Sequence, residues 1–196
     1  MDKPYQSTHW NYFLALEQDL MGASRFVEFS EANYETYSIE FAHILLAAAS
    51  ETDVLLKQIC RLIEPNRDVS NIKGYREVIA EKNEQFFQQG AVIQRHGISL
   101  KPWSNWPEGG GPEWWASFNK VKHRRSEHFN EANLFNTIQA VAGLLITNLE
   151  LMLQQSRAYE RTLEKPIPNE MRDIVHGLHE QSRLFKLDDP WVYMHE

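Results

Sequence analysis

The sequence predicts a mainly α-helical fold, and three observations carry that prediction. Two long segments repeat their apolar residues at three- and four-residue steps, helix-start and helix-stop residues stand at their ends, and only one short stretch favours strands. The chain has 196 residues, 42% hydrophobic and 24% charged, which suits one globular domain or a domain with a small appendage. The expected architecture is a bundle of four or five helices with long antiparallel members over residues 1–164, a hairpin-bearing insertion at about 88–111, and a C-terminal extension of short helix and tail over 165–196.

The first helix is read from about residue 8 to 28, where Trp10, Phe13, Leu14, Leu20, Met21 and Phe26 mark an amphipathic face. The next runs from Ser30, a suitable N-cap followed by Glu31, to Ile63, and Pro65 stops it. Its middle is apolar nearly all round, as expected of a central helix touched on several sides. A shorter helical pattern spans about 72–87 with Tyr75, Val78, Ile79 and Phe86. Two β-favouring runs around His96-Gly97 predict a small hairpin, and the Trp-, Pro- and Gly-rich segment after it predicts a loop.

Pro112 suits the first turn of a further helix, where its missing N–H costs nothing. The next helix opens at Asn130-Glu131-Ala132-Asn133 and presents Leu134, Ile138, Val141, Leu144, Leu145, Leu149 and Met152 on one face through about residue 158. Lys165-Pro166-Ile167-Pro168 ends the pattern, and a short helix from about 169 to 185 leads into the tail. One internal echo stands out, Phe29-Ser30-Glu31-Ala32-Asn33 against Phe129-Asn130-Glu131-Ala132-Asn133. Each reads as the capped start of a long helix; the alternative is that the paired asparagines line a shared cleft.

Charge and cysteine content narrow the function classes. A formal net charge of −7 argues against wholesale coating of duplex DNA, because non-specific binding is driven by many cations releasing counterions from phosphates. Cys60 is the only cysteine, so no intramolecular disulfide forms and no disulfide-linked partner is expected. The N-terminus is polar, and no run approaches the roughly 18 apolar residues of a membrane span. The expectation is a soluble cytoplasmic protein with no membrane partner.

Against this acidic background, Lys120, Lys122, Arg124 and Arg125 surround His123 on one helix. Such a local inversion of charge points to an anionic ligand; the alternative is that these cations complement the dipole at a helix C-terminus. At about 100° per residue, Trp115, Asn119, Lys122 and His123 fall on one stripe, and Trp114, Phe118, Val121 and Arg125 form the next. Lys122 and His123 are therefore expected beside packed aromatics, where each needs a partner. Glu51 shares a face with apolar residues of the central helix and is the expected partner, in a cleft that would also collect Asn33, Tyr37, Asn119 and Arg125. The alternative is an ion pair from Glu51 to Lys122 or Arg125 that only orients two helices.

Other chemistries have weaker signals. His176 and His179 could reach one metal ion from a helical face beside Glu180, but no HExxH or companion cluster accompanies them, so neither metal nor cofactor is expected. The glycine run lacks the Lys-Ser/Thr of a phosphate loop. Cys60 on the long helix reads as a small buried hydrophobe rather than a nucleophile.

The arrangement resembles HEPN-type all-helical domains, in which a polar and basic motif at a helix end carries a critical histidine. It is also similar to a set of uncharacterised bacterial proteins sharing the pattern seen here as Trp114-Trp115, Asn119, Lys122-His123, Arg125 and Ala132-Asn133-Leu134. The resemblance extends loosely over residues 10–155 and is specific only in the cluster. It implies recognition of RNA or a nucleotide phosphate, ribonuclease activity in a defence or toxin–antitoxin context, and pairing of two copies across the motif helices. Active members place an Arg, a polar residue and then a His after four to six positions. Here Arg124 and His128 are separated by three residues and Arg125 and His128 by two. Lys122 has the right interval to His128, but a lysine does not replace a planar guanidinium. In an active site, His123 or His128 would be the acid or base for attack by an RNA 2′-hydroxyl, with Lys122 or Arg125 stabilising charge on phosphate. The competing expectation is a non-catalytic structural or regulatory module whose buried polar network orients helices and mediates self-association.

Overall fold

A computed structural model describes residues 7–109, 111–163 and 181–188. Among them are five α-helices: α1 Ser7–Ala23, α2 Ile39–Ile63, α3 Ile72–Lys82, α4 Glu113–His128 and α5 Leu134–Leu163. The described residues also form three short strands, β1 Ala91–Ile93, β2 Ile98–Leu100 and β3 Lys186–Leu187. The mainly helical bundle with a small β insertion is therefore present. Most of the proposed 169–185 helix and the Lys165–Pro168 break lie outside the described residues.

Both long helices start later than the sequence suggested. Ser38, not Ser30, caps α2: its backbone is extended and its Oγ accepts from Phe41 N at 3.0 Å. Ser30 precedes only a single 3-10 turn, Glu31–Asn33, and makes no side-chain cap bond. In the same way Phe129–Glu131 is a 3-10 turn, and Asn133 Oδ1 accepts from Asn136 N at 2.9 Å at the start of α5. The echoed segments are thus turns ahead of the helices. The residues that follow them pair instead: Leu134 N donates to Thr36 O (2.9 Å), Phe135 N to Tyr34 O (3.2 Å) and Ser38 N to Ala132 O (3.4 Å).

That pairing sets the direction of the central helices. With their first turns bonded together, α2 and α5 set out from the same end, and at the other end Arg161 Nη2 reaches Leu62 O at 3.5 Å. They run parallel, not antiparallel as expected, because residues 64–133 carry the chain back to the starting end. α1 packs on both, antiparallel to α2: its residue 9 meets Glu51 and Gln58, while Ala23 lies by Phe41. α4 also contacts both, and α3 contacts α2. α2 ends where Pro65 bars the helical conformation from Glu64, whose φ and ψ are −132° and 83°. α1 and α3 stop earlier than their apolar patterns, at Ala23 and Lys82, and Phe86 and Phe87 reach the core from a 3-10 segment, Glu84–Gln88.

The expected hairpin exists, with Ala91 opposite Leu100 and Ile93 opposite Ile98, and β3 adds to the other side of β1 with Leu187 opposite Ala91. The segment bearing β3 is held by Glu17 of α1, which is only 2% exposed. Its carboxylate accepts from Ser182 Oγ (2.5 Å) and from the backbone N–H groups of Arg183 (3.0 Å), Leu184 (3.0 Å) and Phe185 (3.2 Å). Four donors offset the cost of burying that carboxylate. The loop after β2 is anchored by aromatics: Trp103 and Trp106 are buried with ring centroids 4.8 Å apart, and Trp114 Nε1 donates to Pro102 O at 2.8 Å. Among the described residues one helical segment, Leu134–Tyr159, is long and apolar enough to cross a membrane, but 89% of its most apolar window is buried inside the protein, as befits a core helix.

Candidate functional site

The cationic residues sit at the C-terminal end of α4, and the helix is broken there. Arg124 has φ −141° and ψ 51°, outside the helical region, so the last turn is offset from the rest. Trp114, Trp115, Phe118 and Val121 are buried, whereas Lys122, His123, Arg124 and Arg125 are exposed. Lys122 and His123 therefore do not stand among packed aromatics in need of a buried partner. Lys122 Nζ lies 5.3 Å from the centroid of the Phe118 ring, a cation–π contact at the edge of the core. Arg124 faces Glu127 at 3.9 Å. Among the described residues, His123 and Arg125 have neither hydrogen-bond nor ion partner.

The expected cleft around Glu51 is not formed. Glu51 lies twelve residues into α2, about 18 Å along the axis from the end where the cations sit. Its partner is His9 of α1, whose Nδ1–H donates to Glu51 Oε1 at 2.5 Å while Nε2 accepts from Gln58 Nε2 at 3.0 Å. Helical spacing correctly placed Glu51 against neighbours, but on the face that receives α1 rather than α4. Asn33 is used locally, its Nδ2 donating to Glu28 O at 2.9 Å. Asn119 likewise donates to Trp115 O one turn back, at 3.1 Å. Tyr37 is half exposed, bridges to Asn133 and meets Phe129 edge-on at 5.6 Å, so it alone of the distant residues lies beside the end of α4.

The polar centre of this region is Glu131, in the turn between α4 and α5. It accepts from Lys120 Nζ (2.5 Å) and from Ser117 Oγ (2.6 Å), while its main-chain oxygen accepts from Asn136 Nδ2 (2.9 Å). The hydrogen bond from Lys120 and then that from Ser117 hold its carboxyl below the usual carboxylate range, and the charges of Lys120 and His128 act in the same direction. His128 is half-buried, and its Nε2 has no hydrogen-bond partner among the described residues. Asn133 extends the network, its Nδ2 donating to Glu35 Oε2 at 3.4 Å. Sequence reasoning assigned Glu131 to a helix start and missed this role. The available signal was Ser117 and Lys120, three apart on one face of α4.

Glu150 and Cys60 are among the titratable groups buried away from the cations. Glu150 of α5 is fully buried, and burial raises its carboxyl above the ordinary range although Gln154 Nε2 and Asn83 Nδ2 each donate to it at 2.8 Å. Burial also pushes the Cys60 thiol up to about 12, which suits an inert core residue. Among the described residues no group of three or more His, Cys, Asp or Glu side chains could hold a metal ion, and His176 and His179 lie outside them.

Comparison of the chain with family models, with curated proteins and with solved structures gives no match. The fold and site define a helical bundle whose two parallel central helices begin beside an exposed cationic helix end.

Proposed function

We propose that the end of α4 recognises the phosphate backbone of a single-stranded RNA, in keeping with the HEPN-like resemblance. The observation behind this reading is the exposure of Lys122, His123, Arg124 and Arg125 together in a chain of net charge −7. Dipole complementation alone does not require so many cations. A helix C-terminus carries about half a negative charge, whereas Lys122, Arg124 and Arg125 supply three positive charges, of which only Arg124 has a carboxylate within 4 Å, that of Glu127. The patch is small and the rest of the chain acidic, which favours a short flexible strand over a long duplex. Tyr37, half exposed beside Phe129, supplies an aromatic face at the same end on which a base could stack.

The test is a titration of short single-stranded RNA at several salt concentrations, with product analysis after long incubation. With three phosphate contacts, log K should fall against log salt with a slope of about −2, and Lys122→Ala or Arg125→Ala should each reduce its size by about 0.7. His123→Ala and His128→Ala should reduce cleavage more than binding if either ring transfers a proton in the reaction. Absence of binding by the folded wild type refutes the RNA reading. Binding without cleavage removes the ribonuclease activity, and the defence or toxin–antitoxin role that depends on it, and leaves recognition.

A second reading, a non-catalytic module that self-associates, is favoured by a different observation. Phe26 (87% exposed), Ile39 (67%) and Tyr37 (52%) leave apolar surface uncovered near the N-terminal end of α2. Sedimentation of wild type and Phe26→Ser distinguishes it, since a dimer formed through this surface would dissociate in the variant.

A further inference from the structure

At the opposite end of α4 from the exposed cations, a cavity of 280 Å³ opens between the start of α3 and the glycine-rich loop, lined by Ile72, Lys73, Arg76, Trp106, Gly109 and Gly111. We propose that this cavity binds a phosphate monoester dianion, at a site separate from the RNA surface. Arg76 is half-buried and Lys73 exposed, and neither has an ion partner within 4 Å among the described residues. A guanidinium partly withdrawn from water without a counter-charge is costly, and an anion in the cavity relieves that cost.

Two further features converge on the same ligand. Trp106 is 1% exposed, and its Nε1–H has no acceptor among the described residues. Trp103 Nε1 is likewise unpaired but does not line the cavity, whereas Trp106 stands in the cavity wall, where an oxyanion would supply the missing acceptor. The first turn of α3 also faces the cavity through Ile72 and Lys73. Asn71 caps it by accepting from Gly74 N at 3.0 Å, which leaves the amides of residues 72 and 73 without intrahelical acceptors at the positive end of the dipole.

The loop is built to approach this closely. Gly109 and Gly111 have φ of +111° and +97°, and a Cβ at position 109 would stand 3.5 Å from Arg76 Nη1. Gly109 therefore brings main chain, without a side chain, beside the guanidinium, and Gly111 lies against Ile72, whose Cγ1 would stand 3.4 Å from a Cβ there. Two cations match the charge of a phosphate monoester, about −1.5 to −2 at pH 7, better than that of a carboxylate. A planar guanidinium also presents paired donors to phosphate oxygens.

The experiment uses the ¹⁵N-labelled full chain, with the Trp106 indole resonance identified by its loss in Trp106→Phe. Inorganic phosphate and ribose 5-phosphate are titrated against sodium chloride and sodium acetate at matched ionic strength. The expected result is a saturable shift of the Trp106 indole resonance with both phosphates, weakened about tenfold or more in Arg76→Gln by loss of a charge-assisted contact. Calorimetry of wild type and Arg76→Gln repeats the comparison without relying on Trp106→Phe. Lys122→Ala should leave the phosphate-induced shift of the Trp106 indole unchanged, because Lys122 does not line the cavity, so failure here is distinguishable from failure of the RNA reading. A response no greater than that to chloride, an unchanged affinity in folded Arg76→Gln, or equal binding of acetate would overturn the proposal.

Discussion

Replacing Glu131 with Ala should destabilise the protein by about 1–4 kcal/mol at pH 7, and the figure follows from what the carboxylate holds. Ser117 is 5% exposed, and its hydroxyl would lose the acceptor it reaches at 2.6 Å. A buried polar group left without its bond costs about 1–3 kcal/mol. Lys120 is 42% exposed, so its pairing with Glu131 adds only about 0.2–1 kcal/mol. Urea unfolding at pH 7 measures the sum, and a melting point lowered by roughly 2–16 °C gives the same answer for a chain of this size. The carboxyl is held below its ordinary value in the folded state, so its contribution is complete above the unfolded pKa near 4.3 and disappears as pH falls through the lower folded value. The gap between wild type and Glu131→Ala should accordingly narrow in acid. A loss below about 0.5 kcal/mol at pH 7, the usual surface value, would refute the reasoning and show that the turn between α4 and α5 does not depend on Glu131.

The buried Glu150 should behave in the opposite sense. Because burial raises its folded pKa, the native state holds the proton to higher pH than the unfolded chain, and this group lowers stability by up to about 1.4 kcal/mol per pH unit as pH rises from the unfolded value to the folded one. Glu150→Gln should lose that slope relative to wild type, and parallel stability–pH curves from urea unfolding would contradict the assignment. Glu51→Ala should cost about 1–3 kcal/mol by stranding the mostly buried His9. A double-mutant cycle should show that Glu51 couples to His9 and not to Lys122, and coupling to Lys122 would mean that α1 is misplaced. Cys60 should react with a thiol reagent only on unfolding, because its thiol is buried and pushed up to about 12; rapid labelling of the native protein at pH 7.5 would show an opening at the end of α2.

The local sequence determined which segments are helical and where chain breakers end them. The apolar repeat of Ile39–Ile63 and Leu134–Leu163 is one face of a 3.6-residue period, and Pro65 is sufficient to stop α2. The cationic end of α4 was also legible, because four charges within six residues remain together in any helix. Helix starts were decided elsewhere. Ser30 and Ser38 are both serines followed within two residues by an acid, and Ser38 caps α2 because the residues before it pair with the chain at 132–135. The same long-range pairing makes α2 and α5 parallel, a choice no periodicity encodes. Glu51 shows the remaining limit: a pattern of neighbours reveals that a carboxylate lies on a packed face, but the partner on that face is fixed by which helix the tertiary fold lays against it. Here α1 brings His9, and Glu131, read as an ordinary cap-region acid, receives Lys120 and Ser117 because the chain turns back directly after α4.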